Sequence, residues 1–149
     1  MAKHHVTILW RKTRDNLEHY VWRFDNGIEL NAKPGSPSSR ESVVDPESAF
    51  IASISSCHML SVMATAAKSG FTIRGYKDKA VGALEQKPDG RIAITRVLLQ
   101  PDIEFDPKNA PDEDELRKLH EVAHENCFIA NSVNSEVRIE PVIAAATTC

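Results

Sequence analysis

The sequence predicts a single domain of the α+β class over residues 1–149, and three observations support this class. The N-terminal part alternates in the way that β-strands do. A long apolar segment then carries the start and stop signals of a helix. The rest of the chain has the patterns of further strands around a second helix. The length, with 42% hydrophobic and 26% charged residues, suits one soluble globular domain.

The N-terminal part is predicted to form a small antiparallel sheet. Residues 6–11 and 20–24 alternate as half-buried strands require. Asn26-Gly27 is the strongest short signal for a hairpin turn, and it leads into a strand through Ile28 and Leu30.

A loop and then a central helix are predicted next. The segment 31–45, "NAKPGSPSSRESVVD", is rich in Pro, Gly and Ser, which favours a long loop. Asp45 is suited to cap a helix, Pro46 to its first position and Gly70 to its end, which gives roughly 24 helical residues. The apolar side chains of this helix point in nearly every direction, so we expect it to be buried on all sides.

Strands and a second helix are predicted to complete the domain. Residues 73–85 and 91–105 have strand patterns, and the turn "KPDG" joins them. A helix is predicted to begin in the acidic run "PDEDE", because negative charge stabilises a helix N-terminus. A last strand is predicted over residues 136–142.

Charge and composition narrow the class of partner. The net charge is −3, and no block of five like charges occurs, which argues against nucleic acid and a polybasic membrane contact. The partners expected are small molecules or a second copy of the chain. No stretch approaches eighteen apolar residues, and the apolar run near the N-terminus is too short for a signal peptide. We therefore expect a cytoplasmic protein, in which Cys57, Cys127 and Cys149 are reduced by default.

The stretch "LHEVAHENCF" contains an H-E-x-x-H pattern, in which two histidines on one helix face bind zinc beside a glutamate base. A zinc hydrolase also needs a third protein ligand, and the extended form of the motif is missing because alanine stands at position 130. At 100° per residue, His120 and His124 lie at the edge of an apolar stripe that includes Cys127. The sequence therefore favours boundary histidines and predicts no metal site.

Cys57 is a thiol within the apolar helix, and two interpretations stay open for it. Cys57 and Cys127 could be inert core thiols, because burial in apolar surroundings raises the pKa of a thiol. To react, Cys57 needs a cation from another segment, for which Arg40 in the loop before the helix is the natural candidate. His58, next to this thiol, is interpreted as a satisfied core or interface histidine.

Two stretches, "DPESAFIASISSCHML" and "KLHEVAHENCFIANSVNSEVRIEP", resemble the OsmC/Ohr family of organic hydroperoxide reductases. The resemblance spans nearly the whole chain, and its motifs are P-E-x9-C and E-x-C-F-I-A-N-S-V. It implies that Cys57 is the peroxidatic cysteine, that Cys127 is the resolving cysteine and that Glu47 belongs to the active site. The family's arginine falls on Arg40, with three fallback candidates: Arg11, Arg14 and Arg23. Cys149 has no counterpart and is treated as a tail residue.

The resemblance further implies an intertwined homodimer, with antiparallel sheets wrapped around long central helices and sites at the subunit interface. Helix geometry agrees, because the ten residues from Glu47 to Cys57 span about 15 Å along a helix axis. Glu47 is therefore too far to serve the thiol of its own chain, so a second subunit is expected to supply it.

The expected function is that of a thiol-dependent peroxidase, which reduces organic hydroperoxides through a sulfenic acid and an intramolecular disulfide. No bound cofactor is expected. The resemblance suggests an external dithiol as reductant, namely a dihydrolipoyl group on a carrier protein. The alternative is a dimer of the same fold that binds or senses a hydrophobic molecule without turnover. The expected substrate pocket consists of Phe50, Ile54, Met59 and Phe128.

Overall fold

A computed structural model of the chain describes residues 1–11, 19–34 and 42–143, and it confirms the α+β class. The residues cluster into two units, Met1–Phe50 and Ile51–Cys149. The boundary lies within the first helix. The single domain predicted over the whole chain stays a prediction.

The first unit contains the predicted N-terminal sheet. Its strands are β1 (Val6–Leu9), β2 (Tyr20–Phe24) and β3 (Glu29–Ala32), and both pairings are antiparallel in the order β1-β2-β3. The predicted hairpin turn is confirmed, because the Gly27 N–H donates to the carbonyl of Phe24 at 2.9 Å. Gly27 has φ of 84°, a left-handed conformation that glycine adopts without a steric penalty.

The central helix, α1, spans Pro46–Lys68, close to the predicted bounds. Its N-terminus is capped as expected, because an Asp45 carboxylate oxygen accepts the backbone N–H of Ser48 at 2.8 Å. Gly70, with φ of 81°, follows the end of the helix.

One stripe of α1 is buried within the single chain, and the prediction of burial on all sides stays a prediction because it includes cover by a second subunit. The buried residues recur every fourth position, which is one face of a helix: Ile54, His58, Val62 and Ala66. Only 22% of the most apolar 18-residue stretch of the helix is buried, and Leu60 on another face is 61% exposed. α1 is long and apolar enough to cross a membrane, but the core helices of soluble proteins can have the same length and composition.

Each of the two long strands predicted after α1 is in fact two strands. They are β4 (Ile73–Asp78), β5 (Val81–Gln86), β6 (Ile92–Leu99) and β7 (Pro101–Phe105). Antiparallel β4 and β7 form one sheet. Antiparallel β5 and β6 belong to another.

The breaks in these strands coincide and have a common cause. The backbone N–H of Gln100 donates to the Asp78 carboxylate at 2.7 Å, and Pro101 has no N–H to donate to a ladder. Asp78 pairs with Pro101 at the end of one sheet, and Val81 pairs with Leu98 at the start of the next. Alternation of side chains continues through such a break, which is why the sequence pattern did not reveal it.

The second helix, α2, spans Glu113–Glu125 and begins with a capping box. The Asp112 carboxylate accepts the Glu115 backbone N–H at 2.8 Å, and the Glu115 carboxylate accepts the Asp112 N–H at 2.9 Å. Within the second unit, α1 and α2 share an apolar core that contains Val62, Ala66, Leu119 and Ala123.

A short 3-10 helix (Ala130–Ser132) and strand β8 (Glu136–Ile139) follow α2. β8 pairs with β6 in parallel, so the expectation of purely antiparallel sheets is wrong at this strand. The physical reason is connectivity. A parallel neighbour requires a crossover, and the intervening β7 and α2 supply one.

We expect Asp45→Ala to lower the free energy of unfolding by about 1 kcal/mol, because the first turn of α1 loses its side-chain acceptor. Asp45→Asn, which keeps an acceptor oxygen, should stay within about 0.5 kcal/mol of the parent. Urea unfolding followed by circular dichroism measures both. Equal losses in the two variants would contradict the capping role.

Candidate functional site

The structure brings Cys57 and Cys127 together, although 70 positions separate them in the chain (127 minus 57). Cys57 lies in α1 and is half-buried, whereas Cys127 is fully buried. The two side chains interact, because a side-chain hydrogen bond with Cys57 and its charge raise the pKa of Cys127. The pair is therefore placed for thiol chemistry between α1 and the segment after α2.

The electrostatic environment keeps Cys127 protonated. Burial raises its pKa to about 11, and the hydrogen bond and charge of Cys57 act in the same direction. The backbone N–H of Ala130, 3.4 Å from Sγ, opposes this shift. At neutral pH Cys127 is a thiol rather than a thiolate.

The sequence prediction placed Cys127 on the apolar stripe of α2, but the helix ends before it. Asn126 is the C-cap residue, and both its backbone N–H and its side-chain amide donate to the carbonyl of Val122. The next turn is closed by Asn131, whose backbone N–H donates to the Cys127 carbonyl at 3.0 Å and whose amide donates to the Glu125 carbonyl at 2.9 Å. Cys127 is thus held in a hydrogen-bonded turn, and the N of the motif F-I-A-N-S closes it.

Glu47 lies in the first turn of α1 and is exposed. Arg40, Arg14 and Cys149 lie outside the described residues. Their predicted roles stay predictions.

Two fallback arginines belong to the first unit. Arg23 on β2 is paired with Glu29, with 2.6 Å between Nε and Oε1. Arg11 and Arg23 both line an open groove of about 550 Å³ on this sheet, beside Trp10 and Tyr20. The groove has a cationic rim, but Arg23 already has a carboxylate partner.

The four residues predicted for the substrate pocket differ in exposure. Ile54 is fully buried, Phe50 and Met59 are half-buried, and Phe128 is 79% exposed. The shared pocket stays a prediction.

Two histidines form a buried pair that the sequence did not reveal. His58 Nε2 on α1 lies 3.0 Å from His120 Nδ1 on α2, and the rings stack with centroids 5.3 Å apart. His120 is 3% exposed, so its assignment as a boundary residue is wrong, whereas His124 is half-buried. Across residues 1–11, 19–34 and 42–143 no group of three or more His, Cys, Asp or Glu side chains could hold a metal ion.

Burial keeps both histidines neutral. It lowers the pKa of His58 to about 4, and repulsion from His120 and His124 contributes. Burial also lowers the pKa of His120 to about 4, although the Asp78 carboxylate opposes this shift. A histidine within an otherwise apolar helix was the signal in the sequence that could have indicated such a pair.

A second polar contact holds the same part of α1. The hydroxyl of Ser55 donates to the Asp78 carboxylate at 2.5 Å, and Asp78 also accepts the Gln100 N–H. Asp78 therefore connects α1 to the point where β4 ends.

Comparison with known proteins finds that the chain is similar to one family. The sequence model of that family, described as OsmC-like protein, matches residues 39–142. An OsmC-like protein of unknown function from Vibrio cholerae is similar in structure, with 36% identity, a TM-score of 0.89 and coverage of 95% of this chain and 100% of that one. No curated protein matches the sequence significantly.

Two solved structures of organic hydroperoxide resistance proteins share the fold at lower identity. The protein from Elizabethkingia anophelis, solved with thiocyanate bound, is 17% identical with a TM-score of 0.71, over 95% of this chain and 94% of that one. OhrB of Bacillus subtilis is 19% identical with a TM-score of 0.68, over 93% and 98% of the two chains.

We expect the free energy of unfolding to fall as the pH is lowered from about 6.5 toward 4, because His58 and His120 are neutral when folded and protonated when unfolded. The limit is about 1.4 kcal/mol per pH unit for each histidine. Urea titrations between pH 7.5 and 4 measure the slope. His58→Gln/His120→Asn keeps polar groups at the paired atoms without titrating, so its slope should be smaller. Identical slopes would contradict this origin.

Proposed function

Because the chain belongs to the OsmC-like protein family, we propose that it is a cysteine-based peroxidase that reduces organic hydroperoxides to alcohols. The observation that carries the proposal is the proximity of Cys57 to Cys127, whose pKa it raises. Two thiols in contact can form a disulfide without a large movement of the helices that carry them. The organic hydroperoxide resistance proteins that share the fold support the choice of substrate.

The environments of the two thiols suit different roles. Cys57 is half-buried, so a substrate can reach it. Cys127 is fully buried and has a pKa of about 11, so it is inert toward an external oxidant. We assign Cys57 as the nucleophile and Cys127 as the resolving thiol.

The proposed cycle has three steps. The Cys57 thiolate attacks the hydroperoxide ROOH, the O–O bond breaks, and one proton is taken up to give a sulfenic acid and the alcohol ROH. The sulfenic acid then condenses with the Cys127 thiol to a disulfide, with release of water. An external dithiol, proposed to be a dihydrolipoyl group on a carrier protein, reduces the disulfide and is itself oxidised.

Glu47 and Arg40 are proposed to assist from a second subunit. A guanidinium near Cys57 would stabilise the thiolate, and a carboxylate would orient the guanidinium by a bidentate pair. Since Glu47 and Cys57 lie ten residues apart on α1, about 15 Å along the axis, the glutamate of the same chain cannot reach the thiol.

A homodimer is proposed for a further reason. α1 leaves large apolar side chains exposed in the single chain, including Leu60 at 61% and Met63 at 39%. An apolar helix face of this kind is stable in water when another surface covers it. A second copy of α1 would cover this apolar face. The protein is proposed to be cytoplasmic, where a reducing environment would keep the thiols functional.

A dimer that binds or senses a hydrophobic molecule through Cys57, without turnover, is the second candidate. It is favoured by the similarity to the Vibrio cholerae protein of unknown function at 36% identity, because the hydroperoxide resistance proteins are below 20%. Such a protein would consume one equivalent of hydroperoxide and then stop, even with excess dithiol.

Cys57→Ser is expected to abolish reduction of tert-butyl and cumene hydroperoxide in the presence of dihydrolipoamide, because the nucleophile is lost. Cys127→Ser is expected to accumulate a sulfenic acid, which dimedone labels, because no thiol resolves it. Hydroperoxide consumption and intact-mass spectrometry measure the two effects.

Cys149→Ser is the matched control and should retain the parent rate. A parent protein that leaves both hydroperoxides untouched, with dithiothreitol or dihydrolipoamide present, would overturn the proposed function. A single equivalent consumed would favour the second candidate.

Complementation tests the contribution of a second subunit. Glu47→Ala and Cys57→Ser should each be nearly inactive, and their co-expressed mixture should regain about a quarter of the parent activity. Half of the dimers would be mixed, and each mixed dimer would hold one site with both Cys57 and Glu47. Differently tagged chains allow the mixed dimer to be purified and assayed.

The control is a mixture of the double variant Glu47→Ala/Cys57→Ser with the single variant Glu47→Ala. It should remain inactive, because no chain in it supplies Glu47. Activity absent from the first mixture as well would show that Glu47 does not act across subunits.

A further inference from the structure

Polar contacts tie the turn of α1 that carries Cys57 on both sides. Two residues before the thiol, Ser55 donates to Asp78 at 2.5 Å, and one residue after it, His58 pairs with His120 at 3.0 Å. We call the four residues Ser55, His58, Asp78 and His120 the polar clamp. It connects α1 to β4 on one side and to α2 on the other.

The histidine pair within the clamp is directional. If His58 Nε2–H donates, His120 Nδ1 accepts, and if His120 Nδ1–H donates, His58 Nε2 accepts. Either arrangement requires a neutral accepting ring and one relative orientation of the two rings, whereas contacts between apolar side chains are not directional. The remaining nitrogens, His58 Nδ1 and His120 Nε2, are buried without a partner among the described residues.

Burying a ring nitrogen that has no hydrogen-bond partner costs free energy in a helix interface. An aliphatic pair would fill similar space without burying unpaired nitrogens. The titratable groups around the rings are Asp78, which faces His120, and His124, which faces His58. Tyr76, also beside Asp78, has a buried hydroxyl without a partner in the described chain. This cost favours a role in orientation over simple packing.

The spacing of α1 and α2 decides whether the two thiols can bond. A disulfide requires Cα atoms about 4.4–6.8 Å apart, a narrow range for residues on separate elements. A further polar contact between these segments, from Ser61 Oγ to the Asn126 carbonyl, is exposed and long at 3.5 Å. The buried histidine bond, adjacent to Cys57 in sequence, is better placed to fix that spacing.

We propose that His58 and His120 are positioning residues, whose mutual hydrogen bond holds α1 and α2 in the register at which Cys57 and Cys127 form their disulfide. This inference rests on the proposed function for its role in the cycle. It assigns the first histidine of the H-E-x-x-H pattern to the resolving step. The hydrogen bond itself acts on the thiol pair whatever oxidant is used.

The test is the equilibrium of the thiol pair with glutathione. Glutathione disulfide oxidises the Cys57–Cys127 dithiol, which yields the protein disulfide and two molecules of reduced glutathione. The equilibrium constant gives the effective concentration of one thiol at the other. All proteins carry Cys149→Ser, so that only this pair reacts, and no peroxide is present.

Three variants separate hydrogen bonding from packing and stability. His58→Leu/His120→Leu removes the bond but keeps buried volume. His58→Gln/His120→Asn places amide nitrogen or oxygen near the paired ring atoms and can restore a hydrogen bond. Leu99→Ala removes a fully buried side chain of β6 that is not part of the clamp, and it is expected to lower stability.

The leucine pair should lower the effective concentration at least about tenfold, whereas the amide pair and Leu99→Ala should stay within about threefold of the parent. A leucine pair that matches the parent would overturn the inference. So would an amide pair that falls as far as the leucine pair, or an equal fall in Leu99→Ala.

A second measurement places the effect in the cycle. After one equivalent of cumene hydroperoxide, the leucine pair should form the sulfenic acid at the parent rate but convert it to the disulfide about tenfold more slowly. Equal slowing of both steps would overturn the positioning role. A parent that does not react with hydroperoxide would overturn the proposed function, and the glutathione equilibrium would still decide the positioning role.

Discussion

The site depends on the packing of one stripe of α1 against α2 and the turn that follows it. Val62 and Ala66 on this stripe share an apolar core with residues of α2, and His58 on the same stripe bonds to His120. Cys57 lies beside the stripe, so the packing that stabilises the second unit also brings its thiol to Cys127. Stability and the proposed chemistry therefore depend on one interface, in which a change of helix spacing is expected to alter both.

Burial in this interface keeps three of its titratable side chains uncharged. Burial keeps Cys127 a thiol, and it keeps His58 and His120 neutral. The Asp78 side chain accepts a hydroxyl from α1 and a backbone N–H beside β7. The thiol pair thus consists of a half-buried cysteine and a fully buried one, which is the asymmetry that the proposed two-cysteine cycle requires.

The elements whose signals are local were predicted well. The Asp45 cap, the Asn26-Gly27 hairpin and the start of α2 in its acidic run occur as expected, because such signals act within a few residues. The long strands were predicted without their breaks, since alternation persists through a change of sheet. The orientation of β8 was missed because strand pairing depends on connectivity across the whole unit.

The site was predicted in part, and the division has a physical reason. The sequence by itself determined the family motifs, the two cysteines and the apolar character of α1, because these are properties of residue type and spacing. Only the tertiary structure decided that Cys57 meets Cys127, that Cys127 lies beyond the end of α2, and that His120 pairs with His58 across 62 positions. Periodicity places a side chain on a face of its own helix, but which residue of another element meets that face depends on how the two elements pack.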